Sequence, residues 1–328
     1  MKNPLAPHSI VSLASTALAV LLLTPARDSR AFTKNGDQLG LGQRDVRVFD
    51  NFADPSANDN TTPDPQFPGQ LGAELAIWKA VVEWGSGPHG NGTGDPAQAN
   101  LGDGGANFDA AWMGKSTGVG GANDNVVSAS SICGGGVTAF TEVPSSDGWR
   151  IRFCDEGVFW SDGPGAPAGN QVDIQAILAH EYGHALGLGH STDPTATMAA
   201  SLSFPQTNVR SIELDDQAGV QCLYGAKSTS KPIVTSVKVT GGAQGFVVTI
   251  KGANFAATGN DVWFTPANPT QSESDPRFRV NNIASTNGGT RITVLLPASK
   301  PVRAGDLLVK IPGQGGDRLS NAFPFQLP

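Results

Sequence analysis

The stretch Ala179-His180-Glu181-Tyr182-Gly183-His184-Ala185-Leu186-Gly187-Leu188-Gly189-His190 holds three of the chain's five histidines. On a helix His180 and His184 lie one turn apart, so their imidazoles share a face and can reach one ion. Glu181 falls between them, placed to act on water rather than on the metal. Gly187 lacks a Cβ, which lets the chain leave the helix in a backbone conformation that other residues resist. That reversal brings His190 round as a third ligand. Zinc with three protein nitrogens keeps its fourth position open, the arrangement of a catalytic rather than a structural site. The chemistry expected from this stretch is zinc-assisted hydrolysis.

The run continues as His190-Ser191-Thr192-Asp193-Pro194-Thr195-Ala196-Thr197-Met198. His-Glu-x-x-His-x-x-Gly-x-x-His with a following methionine resembles the metzincin metalloproteases. The serine after the third histidine, and the Asp-Pro and Met in register, resemble their matrixin branch. A second stretch, Glu213-Leu214-Asp215-Asp216-Gln217-Ala218-Gly219-Val220-Gln221-Cys222-Leu223-Tyr224-Gly225, resembles the C-terminal matrixin helix, so the likeness spans residues 44–225. The resemblance implies an α+β domain: a twisted, mostly parallel sheet with an antiparallel edge strand, and three helices. It implies Zn2+ on His180, His184 and His190, Glu181 as the catalytic base, and Met198 in a turn beneath the metal. Asp215 and Asp216 would anchor the last helix to that turn and to the N-terminal strand. Ala200 stands where astacin- and serralysin-like relatives carry a tyrosine, so no tyrosine ligand is expected. The substrate it implies is a protein or peptide.

The chain also departs from the family pattern. Animal matrixins bind a structural zinc with histidines at positions matching Thr138 or Ala139 and Arg152, so no second zinc is expected. His89, in Gly-Pro-His-Gly, reads as a surface-loop residue. No Arg-Cys-Gly switch precedes the domain, and latency by a cysteine switch is not expected.

A net charge of −7 and a pI near 5.2 argue against nucleic acid or anionic membrane as partners. Residues 1–31 read as a signal peptide. Lys2 is followed by the apolar run Ile10 to Leu23, too short for a comfortable span, and small residues allow cleavage after Ala26 or Ala31. The mature chain is therefore expected to be secreted, with no membrane span. Cys133, Cys154 and Cys222 leave three possible disulfide pairings and a leftover thiol that could be buried.

The expected layout is a metallopeptidase domain over residues 32–226, a linker over 227–231 and an all-β domain over 232–328. Arg44 to Phe49 alternates as a first strand, and Leu71, Leu75, Trp78 and Val82 repeat at helical spacing. Residues 85–125 are rich in Gly, Asn and Asp, with a short strand expected over Asn107 to Trp112. Here Asp95, Asp103, Asp109 and Asp124 could supply oxygens for Ca2+, although a solvated, turn-rich surface accounts for the stretch as well. Gly135 to Thr141 and Trp149 to Phe153 read as strands joined by a turn, with Val137 to Thr141 the edge that would pair with extended substrate. The active-site helix is expected over Gln171 to Leu186, capped by Asn170. After residue 231, regular short strands indicate a β-sandwich. Gly252-Ala253-Asn254-Phe255 and Leu319-Ser320-Asn321-Ala322-Phe323 resemble the immunoglobulin-like IPT/TIG domain, whose role would be binding protein or glycan. The competing readings are an adhesin-like binding protein with an accessory zinc domain, and a zinc hydrolase of non-peptide amides.

Overall fold

The computed structural model describes residues 31–36, 38–90, 105–134, 136–142, 148–202, 207–268 and 277–328. The expected signal peptide, apart from Ala31, lies outside them, as does most of the turn from Pro144. In chain order the first region contains β1 (Thr33–Lys34), β2 (Asp45–Phe49), α1 (Gly72–Glu83), β3 (Ala111–Lys115), β4 (Val126–Ser130), β5 (Ala139–Glu142) and β6 (Arg150–Cys154). It continues with β7 (Phe159–Ser161), β8 (Gln171–Asp173), α2 (Ile174–Leu186), β9 (Leu188–Gly189) and α3 (Leu214–Tyr224). Five strands form one sheet in the order β3-β2-β4-β6-β5. Its strands run parallel except β5, which lies antiparallel to β6 on the edge. The α+β architecture implied by the sequence is therefore present.

Aromatic packing fixes α1 against this sheet. Trp78 stacks on Trp112 of β3 at 5.0 Å and takes Phe67 edge-on at 5.2 Å. Trp84, Trp149 and Trp160 are also fully buried, and rings of this size dominate core energetics. The strand expected over Asn107 to Trp112 begins later, at Ala111. Asn107 instead receives a hydrogen bond from Arg44 on its carbonyl, and Asp109 is buried against the ammonium of Lys231.

The active-site helix also starts later than its pattern suggests. Gln171–Asp173 pairs in parallel with Phe159–Ser161, and the helix begins at Ile174. Asp173, not Asn170, is the cap: its carboxylate accepts the Ala176 N–H at 2.8 Å and the Arg210 Nε–H at 2.9 Å. A buried carboxylate needs such donors, and first-turn amides with a guanidinium provide them.

The second region has β10 (Ile233–Gly242), β11 (Gly245–Ala253), β12 (Asn260–Pro266), β13 (Phe278–Ile283), β14 (Ser285–Thr286), β15 (Arg291–Leu296), β16 (Val302–Lys310) and β17 (Phe323–Phe325). They form two four-stranded antiparallel sheets, β10-β11-β15-β14 and β13-β12-β16-β17. Val248, Ile250 and Val294 of one sheet share an apolar core with Val262, Phe264 and Val309 of the other.

Residues 31–328 form a single compact unit. β3 is the edge opposite β5, and the C-terminal sheet that holds β12 and β16 covers it. Ala111 and Met113 pack with Leu41, Trp263, Leu308 and Leu319. The Trp112 N–H donates to Asp306 Oδ2 at 2.9 Å, and the Trp112 carbonyl accepts from Thr265 Oγ1 at 2.6 Å. Two side chains thus satisfy main-chain groups that a bare sheet edge would leave open.

Candidate metal centre

α2 rests on α1. The Trp84 indole N–H donates to the Ala179 carbonyl at 2.9 Å, one residue before the first histidine. Gly183 faces the same contact: a Cβ there would lie 2.2 Å from Met198 Sδ and 2.7 Å from the Trp84 ring. This explains glycine in mid-helix. Gly183→Ala should gain about 1 kcal/mol of helix propensity and lose about 1–3 kcal/mol to overpacking. A lowered melting temperature is expected, and a thermal melt above wild type would show that the space exists after all.

The helix ends where the sequence expects. Gly187 has φ +106°, and its N–H bonds the Gly183 and His184 carbonyls. Beyond it the chain turns through β9, and the three rings converge with centroids 4.9, 5.3 and 4.9 Å apart. One nitrogen from each of His180, His184 and His190 lies within 4.8 Å of the others. Two nitrogens on a tetrahedral zinc with bonds of about 2.0–2.1 Å sit about 3.3 Å apart, so this cluster suits one ion.

The remaining ring nitrogens support that fit. His180 Nδ1 lies 2.7 Å from the Thr197 carbonyl and His184 Nδ1 lies 2.8 Å from the Leu188 carbonyl. A carbonyl only accepts, so each Nδ1 carries the proton and each Nε2 keeps its lone pair for a metal. Burial lowers the pKa of all three histidines, that of His180 to about 4 with a smaller push from the neighbouring rings. The neutral form is the one that ligates.

Glu181 is 8% exposed. Burial raises its pKa, and a hydrogen bond from Thr141 opposes the rise. Met198 is fully buried. Asp216 accepts the N–H groups of Thr197 at 2.7 Å and Met198 at 3.0 Å. Asp215 accepts from Ser191 Oγ at 2.7 Å and from the Ala31 N–H at 3.0 Å. The two aspartates therefore tie α3 to the Met198 turn and to the N-terminal segment.

That segment does more than its sequence suggests. β1 pairs antiparallel with β9, Thr33 Oγ1 donates to the His190 carbonyl at 2.8 Å, and Asn35 Nδ2 donates to the His184 carbonyl at 3.0 Å. Residues more than 140 positions away brace the loop carrying the third histidine, and no local pattern announces it.

Where the family resemblance would put a zinc-binding histidine, Arg152 is committed elsewhere. Its Nε donates to Glu142 Oε1 at 2.9 Å, and its Nη1 donates to Ser128 Oγ at 2.8 Å and to the Val119 carbonyl. Arg150 grips the other oxygen of Glu142 at 2.7 Å. Burial pushes the Glu142 carboxyl up, but these two guanidinium groups outweigh it and hold it below its usual range. The clamp fastens β5 to β6 and to the preceding loop.

Of the acidic residues suggested for calcium, the two that are described meet protein partners. Asp95 and Asp103 lie outside the described residues, Asp109 faces Lys231, and Asp124 takes the Gly121 N–H and Arg47. His89 lies in a loop and is half-buried, its Nε2 2.6 Å from Oε2 of the buried Glu83. Cys133 is bonded to Cys154, while Cys222 is free and exposed rather than buried.

Comparison with known proteins agrees with this centre. Residues 104–225 match the family model of the matrixins. Human matrix metalloproteinase-19 is 39% identical over 94 residues, 29% of this chain and 17% of that protein. Its mouse counterpart is 30% identical over 167 residues, covering 45% and 29%, and human neutrophil collagenase is 46% identical over 52 residues, covering 16% and 11%. The chain thus spans less than a third of the length of these relatives. The matched span contains both the histidine cluster and the anchoring helix, and over residues 104–225 this chain is similar to the matrixins.

Proposed function

We propose that the protein is a secreted endopeptidase in which His180, His184 and His190 hold zinc and Glu181 is the general base. The observation that carries this reading is the convergence of three imidazoles, two of them with Nδ1 fixed on carbonyls, beside a buried carboxylate. Bound zinc supplies a Lewis acid for the scissile carbonyl and acidifies water at the site. Glu181 takes the proton from the attacking water and passes it to the departing nitrogen. Its burial suits that task, because a carboxylate with raised proton affinity is a better acceptor at neutral pH. β5 offers an open antiparallel edge where an extended peptide adds as a strand, its main chain bound regardless of side chain.

Export is supported by the Cys133–Cys154 bond, which persists in oxidising compartments. No helix among the described residues is long and apolar enough to cross a membrane. The layout we propose is a catalytic domain over 32–226, a junction over 227–231 and an immunoglobulin-like domain of the IPT/TIG kind over 232–328. Two four-stranded antiparallel sheets around one core support the last assignment.

The test uses the purified mature chain with casein as substrate. One zinc per chain is expected by metal analysis, with cleavage abolished by a chelator and restored by added zinc. Cleavage indifferent to chelation would sink the proposal, and zinc-dependent hydrolysis of small amides without any peptide cleavage would favour the non-peptide reading.

A further inference from the structure

Thr141 lies on the edge strand β5, forty residues before Glu181 in sequence. Its Oγ1 is 2.7 Å from Glu181 Oε2 and 2.7 Å from the Glu181 main-chain carbonyl oxygen. A hydroxyl has one hydrogen to give and lone pairs to receive with. While Glu181 is a carboxylate, the hydroxyl donates to Oε2. With one hydrogen to give, the hydroxyl bonds the carboxylate, and the Glu181 carbonyl lies in reach as a second acceptor.

We propose that Thr141 is a positioning residue that fixes the orientation of the Glu181 carboxylate. The inference rests on the proposed role of Glu181 and extends it by naming what holds that group in place. It also joins two tasks in one strand, because β5 is the segment proposed to pair with the peptide. A substrate seated on β5 then meets a base whose direction the same strand sets. Glu181 is only 8% exposed, so little water competes for this hydrogen bond.

The test compares zinc-loaded full-length wild type, Thr141→Val and Thr141→Ser. Valine keeps the branched shape and strand preference but removes the hydroxyl. Losing a hydrogen bond to a charged group predicts a kcat lower by about 10- to 100-fold in the valine variant. KM should stay within about threefold, since the contact is made by the base and not by the peptide. Zinc content and melting temperature should match wild type, and serine should restore most of kcat. A valine variant as active as wild type overturns the proposal. So does a valine variant that loses zinc or melts early with serine failing alike, which marks a purely structural tie. Crystal structures of the three proteins give a readout independent of turnover. A Glu181 carboxylate displaced in the valine variant and restored by serine supports positioning even if the wild type cleaves no peptide, the result that would overturn the endopeptidase reading alone. An unmoved carboxylate overturns positioning.

Discussion

Glu181→Ala is expected to cost about 10²- to 10⁴-fold in kcat, the span usual for a general base, with one zinc still bound per chain. The two effects separate because Glu181 makes no hydrogen bond to the histidine rings, two of which, His180 and His184, have their outer nitrogens held by Thr197 and Leu188. Nor should the fold suffer much. The Thr141 hydroxyl keeps the main-chain carbonyl of residue 181 as acceptor after truncation, so no buried donor is orphaned. Glu181→Gln, which preserves volume, should behave like the alanine variant if the proton is what matters. Metal analysis, thermal melts and peptide kinetics on both variants check this, and full turnover by either would reassign the base.

A chain ended at Ala226 should fail to accumulate as a soluble folded domain, although the zinc site and the whole metalloprotease match lie upstream of the cut. The reason is β3. Removing the later residues uncovers Ala111 and Met113 and takes Asp306 and Thr265 from the main chain of Trp112. It also removes Lys231 from the buried carboxylate of Asp109. Breaking a buried ion pair by losing one partner costs about 3–5 kcal/mol, against a typical total stability of about 5–15 kcal/mol. An exposed, apolar edge strand then invites association with other chains. Expression, solubility and melting of residues 32–226 against residues 32–328 decide it. A fragment melting within a few degrees of the longer chain would show that the two regions merely touch.

The metal centre was legible because its geometry is local. His180 and His184 are one helical turn apart, and Gly187 supplies the reversal that delivers His190, so spacing alone specifies the cluster. β2 and α1 were legible for the same reason, through alternation and the Leu75–Trp78–Val82 stripe, whereas β4 in the middle of the sheet is buried nearly throughout and shows no alternation. What stayed hidden depends on distant pairing. Asp173 displaced Asn170 as the helix cap because Arg210, far along the chain, neutralises it. The strand near Trp112 was misplaced because the main chain around Asn107 and Asp109 answers to Arg44 and Lys231. Lys231 itself read as the end of the linker over 227–231, yet it is 1% exposed. β13, β14 and β17 carry weaker alternation, and only their partners in the C-terminal sheets define them. Thr141 had no sequence signal, since nothing in a strand pattern tells which hydroxyl will meet a carboxylate forty residues on.

With Cys133 and Cys154 joined, Cys222 is the one remaining thiol of three, exposed on α3 with Lys34 Nζ 3.8 Å away. In an oxidising medium two molecules can couple through this sulfur. A doubled mass on a non-reducing gel that vanishes with reductant would then report a covalent link, not a native dimer. The same atom offers a single attachment point for a maleimide dye.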